Sequence, residues 1–108
     1  MTLGEIIERL GKEDPNRIVP LGWDDSYSWR GSYAELAVRP AKNVTIGAMI
    51  KVLRDSNGRT FTGYKGGEFR MSEYTDVYLD LYGECPGNRI GFYLLEFILG
   101  NTPDPEIY

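Results

Sequence analysis

The chain has 108 residues, 42% of them hydrophobic and 26% charged, with 12 basic side chains against 16 acidic ones and a formal charge of −4. This is the composition of one soluble globular domain spanning 1–108, long enough to bury a core, and it lacks the basic patch of a general nucleic-acid binder. Cys85 is the single cysteine and histidine is absent, which excludes an intramolecular disulfide, a Cys/His zinc site within one chain and histidine acid–base catalysis.

The opening stretch MTLGEIIERL carries Glu5 and Glu8 and lacks the basic region and apolar run of a secretory signal. No run reaches the roughly 18 apolar residues a membrane-spanning helix needs, so the chain reads as cytoplasmic. Thr2 to Gly11 is predicted as a short amphipathic helix. Leu3, Ile6, Ile7 and Leu10 form one apolar face, Thr2 and Glu5 fit a capping box, and Gly11 suits the end. Asp14-Pro15-Asn16 turns the chain. Arg17 to Leu21 is a brief extended segment that Pro20 assigns to a sheet edge.

Gly22 to Tyr33, GWDDSYSWRGSY, concentrates two Trp, two Tyr, two Asp and an Arg in twelve residues. Neither a helical period nor a strand alternation runs through it, so it reads as a structured loop. Ala34 to Arg39 alternates, with Leu36 and Val38 on one face and Glu35 and Arg39 on the other, and Pro40 closes it. Thr45 to Asn57 is the second helix, capped by Thr45 and stapled by Val44 and Met49, with Ile46, Met49, Ile50 and Leu53 facing inward.

Thr60 to Met71 reads as a hairpin around a two-residue Gly66-Gly67 turn, with Tyr64 opposite Phe69 and Thr62 opposite Met71. Phe61 does not fit the solvated side of that ladder. Thr75 to Tyr82 alternates cleanly: Val77, Leu79 and Leu81 face the core, and Asp76, Tyr78, Asp80 and Tyr82 face away. Gly83 to Asn88 is a turn. Ile90 to Leu99 is apolar nearly all round, the pattern of a helix buried on several sides or shared with another copy. Residues 101–108 form a loose tail. The order of elements predicts an α+β fold: a single compact domain with an antiparallel or mixed sheet of four to five strands and about three helices.

Three segments taken together, LGW with the following YSWRGSYAELAV, TFTGYKGGEFRM with the following YTDVYL, and YGEC, resemble a group of small uncharacterised bacteriophage and prophage accessory proteins. The resemblance covers roughly Leu21 to Cys85. It implies a phage accessory gene acting in the host cytosol, and it implies no chemistry.

Trp23, Tyr27, Trp29, Arg30, Ser32 and Tyr33 are the candidate ligand clamp, since aromatic faces stack on bases and a guanidinium forks onto phosphate. The opposing reading of the same residues has some of the aromatics anchoring the loop to the core, with Arg30 paired to Asp24 or Asp25. Lys65 and Gly66 add a cation and backbone N–H groups, without the spacing of a phosphate-binding P-loop, and Asp76 completes the ligand set. Asp76 and Asp80 lie four residues apart on one strand, about 13 Å, too far for a glycosidase pair. With Tyr74, Tyr78 and Tyr82 they instead form a candidate interaction surface. Cys85, Ser26, Ser28 and Ser32 have no histidine to activate them.

These observations point away from an enzyme. The first expectation is a binder that sequesters a small ligand, a cyclic or other small nucleotide serving as a host immune signal, and that forms a homo-oligomer through its apolar last helix. The second is a protein–protein inhibitor of a host enzyme or defence complex, acting through the Tyr/Asp-rich surface. A virion or replication accessory role is the third. No cofactor or metal is expected.

Overall fold

In the computed structural model, which describes residues 1–28, 36–62, 68–80 and 88–101, the first helix, α1 (Leu3–Leu10), starts on a complete capping box. The Thr2 hydroxyl accepts from the Glu5 N–H while the Glu5 carboxylate accepts from the Thr2 N–H. Its Leu3, Ile6 and Leu10 are fully buried and Ile7 partly so, the predicted stripe.

Strand β1 (Ile18–Ser28) runs antiparallel to β2 (Leu36–Thr45). This corrects the reading of a loop from Gly22 onward, and it extends β2 past Pro40. Two features hid the strands. Asp24 is an extra residue, because the ladder shifts between the Trp23–Pro40 and Asp25–Arg39 pairs; such a bulge breaks the alternation by which a strand is recognised. The shift falls beside Pro40, whose missing N–H a regular ladder would have required.

Helix α2 (Ile46–Ser56) begins at the Thr45 cap, whose hydroxyl accepts from the Ala48 N–H at 3.1 Å. It buries Ile46, Met49, Ile50 and Leu53 as expected. Asn57 ends the helix and Gly58 takes the left-handed turn at φ 79°.

A separate ribbon of β3 (Thr60–Thr62) and β4 (Glu68–Arg70) follows, with Phe61 paired to Phe69 and Thr62 to Glu68. This register replaces the predicted one and is incompatible with a two-residue Gly66-Gly67 turn. Burial decides it: Phe61, 8% exposed, and Met71, 1% exposed, both join the core, and that gain outweighs the turn preference of two glycines.

Strand β5 (Val77–Leu79) lies parallel to β2 and antiparallel to β6 (Asn88–Arg89), and α3 (Phe92–Ile98) completes the chain. The main sheet is therefore mixed, in the order β1-β2-β5-β6, and the fold is α+β as predicted. β1 is an edge strand, consistent with Pro20. The predicted helix start at Ile90 is corrected: Asn88 and Arg89 pair with β5, and Ile90 is buried with its N–H on the Val77 carbonyl. On α3, Leu95 and Ile98 are buried while Phe92 and Tyr93 are 60% and 67% exposed.

One hydrophobic cluster joins α1, α2, α3, the ribbon and the inner face of the main sheet. Its polar brace is Glu96 of α3. The Arg9 guanidinium donates to both oxygens of this buried carboxylate at 2.7 and 2.9 Å, and the Asn101 side chain adds a third bond at 3.0 Å. Arg9 and Arg17 both reach Glu13, and Arg17 also donates to the Leu99 carbonyl.

Two tests follow from this packing. A Cβ at Gly22 would meet Val44 Cγ2 at 2.4 Å and Met49 Sδ at 2.7 Å, so Gly22→Ala should cost about 1–3 kcal/mol in urea unfolding. The Arg9 hydrogen bonds hold the Glu96 carboxyl below its usual range, helped by Asn101 and opposed by burial. A depressed folded-state pKa adds stability above the unfolded value of about 4.3, and this is lost as pH falls through the folded pKa. Glu96→Gln should therefore lower stability by roughly 2 kcal/mol near neutrality, and the difference from the wild type should shrink in melts taken progressively below about pH 4.

Candidate functional site

The two faces of the main sheet are unlike. On the inner one, the Ser26 and Ser56 hydroxyls meet at 2.7 Å, Ser56 donates onward to the Val52 carbonyl, and Val38, Val77 and Leu79 are fully buried. Trp23 also points inward. It has no exposed surface, and its indole N–H donates to the Met49 carbonyl of α2 at 3.1 Å. A buried indole needs such a partner. Trp23 is therefore a core anchor and not a wall of the predicted clamp.

The outer face is built from the ladder registers. Tyr27 of β1 stands opposite Ala37 of β2, Ala37 is level with Tyr78 of β5, and Tyr78 stands opposite Arg89 of β6. Directly paired residues share a sheet face, so Tyr27, Ala37, Tyr78 and Arg89 form one row across all four strands. Tyr27 and Tyr78 are half-buried, and Ala37 between them has no exposed surface.

Charged groups border this row. Asp25 and Arg39 are paired in the ladder, with their charges 3.8 Å apart. Asp76 meets Arg89 at 2.9 Å. Both are surface ion pairs, screened by water and worth little to stability. Asp80 follows Leu79 at the end of β5, on the Tyr78 side by alternation, and its N–H donates to the Val38 carbonyl. It is only 8% exposed, although the alternation of the strand set it facing away from the core.

The structure thus brings together one residue of the predicted clamp, Tyr27, with Asp76, Tyr78 and Asp80. Tyr74 is 79% exposed in the turn before β5, off the sheet; a hydrogen bond from its phenol to Glu73 raises its pKa. Trp29, Arg30, Ser32, Tyr33, Lys65, Gly66, Tyr82 and Cys85 lie outside the described residues. Asp25, Arg39 and Arg89 belong to the face and were not singled out from sequence. The alternation that set Arg39 opposite to Leu36 and Val38 was the available signal for one of them.

No family model, curated protein or solved structure matches the chain. Its functional reading rests on its own geometry.

The placement of Trp23 has a spectroscopic consequence. In a Trp29→Phe background, Trp23 should emit in the blue range of buried indoles and resist acrylamide quenching. Trp23→Ala should cost about 3–5 kcal/mol, read by urea unfolding, as for other buried aromatics.

Proposed function

We propose that this chain is a non-catalytic binding protein that engages a protein partner through the outer face of its main sheet. The observation that carries the reading is the cross-strand row Tyr27–Ala37–Tyr78–Arg89, bordered by Asp25, Arg39, Asp76 and Asp80. Tyr and Arg are the side chains that interfaces favour, because they combine large contact area with hydrogen-bonding tips. The row reaches across four strands, with Ala37 covered at its centre and Arg89 exposed at its end. The withdrawal of Trp23 into the core removes one wall from the pocket that a nucleotide binder was expected to use.

The resemblance to small phage accessory proteins supports a host enzyme or defence complex as the partner, and hence an inhibitory role in the host cytosol. The exposed Phe92–Tyr93 pair, edge to face at 6.0 Å, supports the expected self-association of the chain through its last helix.

A photo-crosslinking amino acid at position 27 or 78 tests the reading without removing a half-buried ring. In host lysate both positions should capture the same protein, while the same group at Tyr93 on α3 should not. A large thermal shift with one member of a nucleotide panel, together with no shared crosslink at 27 and 78, would replace this reading with ligand sequestration.

A further inference from the structure

Asn57 and Gly58 end α2, and they are the one Asn-Gly pair in the sequence. The pair suits a helix end. Asn57 closes the last turn with its N–H on the Leu53 and Arg54 carbonyls, and Gly58 takes the left-handed φ of 79° that a residue with a Cβ resists. The same two residues carry a chemical liability. Asparagine is heat-labile, and a glycine nitrogen, unhindered by a side chain, can attack the carboxamide of the asparagine before it.

That attack has two requirements. The Gly58 nitrogen must be free to give up its proton, and it must rotate toward the Asn57 Cβ so that a five-membered ring can close. The fold denies both. The Gly58 N–H donates to the Met71 carbonyl at 2.8 Å, and the Asn57 ψ of 124° turns the nitrogen well away from the Cβ. Asn57 itself is exposed, so water reaches its side chain. The lock is the bond to Met71, where the ribbon returns to the helix end. That ribbon is a two-stranded sheet of its own, and such a pair is marginal without support. Its anchors are Phe61 and Met71 in the core, with the Met71 N–H on the Arg59 carbonyl at 3.0 Å. Opening so small a unit costs less than unfolding the chain, and it releases Gly58.

We propose that Asn57 is a site of spontaneous deamidation that the β3–β4 ribbon keeps closed. When the ribbon opens, solvent base takes the Gly58 amide proton and the nitrogen bonds to the Asn57 Cγ. The side-chain nitrogen takes up a proton and leaves as ammonia. Water then adds to either carbonyl of the cyclic imide, giving aspartate or isoaspartate at position 57. The isoaspartate form has one more main-chain carbon between α2 and β3, so the original register with β4 is not recovered. A transient opening becomes a permanent mark.

The wild-type protein is incubated folded and in urea at mildly alkaline pH, then digested with trypsin. Chromatography and mass spectrometry resolve the peptide Asp55–Arg59 into amide, aspartate and isoaspartate forms. The unfolded chain should convert at least about tenfold faster than the folded one, because only the open state reacts. Equal rates would overturn the proposal. Phe61→Ala and the milder Phe61→Leu loosen the ribbon without touching the dipeptide. A variant that keeps a cooperative melt should deamidate several-fold faster than the wild type, and an unchanged rate would remove the ribbon as the lock. Hydrogen exchange of the wild type needs no variant. The Gly58 amide should exchange faster than that of Leu53 inside α2, whereas one common rate would tie the protection to global unfolding and overturn the ribbon's role.

Discussion

The indole of Trp23 holds the sheet and α2 in one orientation. Its N–H reaches the Met49 carbonyl while the ring fills the space between β1 and the helix. Gly22 beside it leaves room for Val44 and Met49 to close over the strand. The ring fixes the inner side of β1, and the bulge at Asp24 then resets the alternation so that Ser26 still faces α2 and Tyr27 faces away. Were the bulge absent, the one-residue shift would turn Tyr27 inward. The position of a surface tyrosine thus depends on a buried tryptophan four residues earlier.

The same division of labour runs through the charges. Arg9 and Asn101 donate three hydrogen bonds to the buried Glu96 and so tie α1 to α3 and the residue after it. On the outer sheet face the Asp25–Arg39 and Asp76–Arg89 pairs are at the surface, where water screens them.

How much of this was legible in the sequence depended on how local its cause was. Thr2 and Glu5, Thr45 and the apolar stripes of α1 and α2 act within a turn or two, and they were read correctly. The alternation of Val77 to Leu79 was equally plain. β1 escaped because the bulge at Asp24 breaks its period and because its aromatics suggested a loop. The continuation of β2 escaped because Pro40 ordinarily ends a strand. The ribbon register escaped because it is set by burial of Phe61 and Met71 against distant residues, whereas the glycines suggested a local turn. For the site, sequence supplied Tyr27 and Tyr78 as members of two separate groups. Their union exists only through the antiparallel β1–β2 and parallel β2–β5 ladders, which no short window contains.

That parallel ladder also bears on how the molecule assembles. β1, β2 and α2 are neighbours in sequence and dock on one another with short loop closures. β5 must find β2 across the whole of α2 and the ribbon, and it is then clasped by contacts from the other end of the described chain, with the Val77 N–H on the Met1 carbonyl and β6 along its free edge. Closing long loops costs entropy before the contacts return it. The outer face that joins Tyr27 to Tyr78 therefore depends on the contact of longest loop closure in the main sheet. A chain that has formed only its first hairpin and second helix has one tyrosine of the row without the other, so the pair is a property of the completely folded molecule alone.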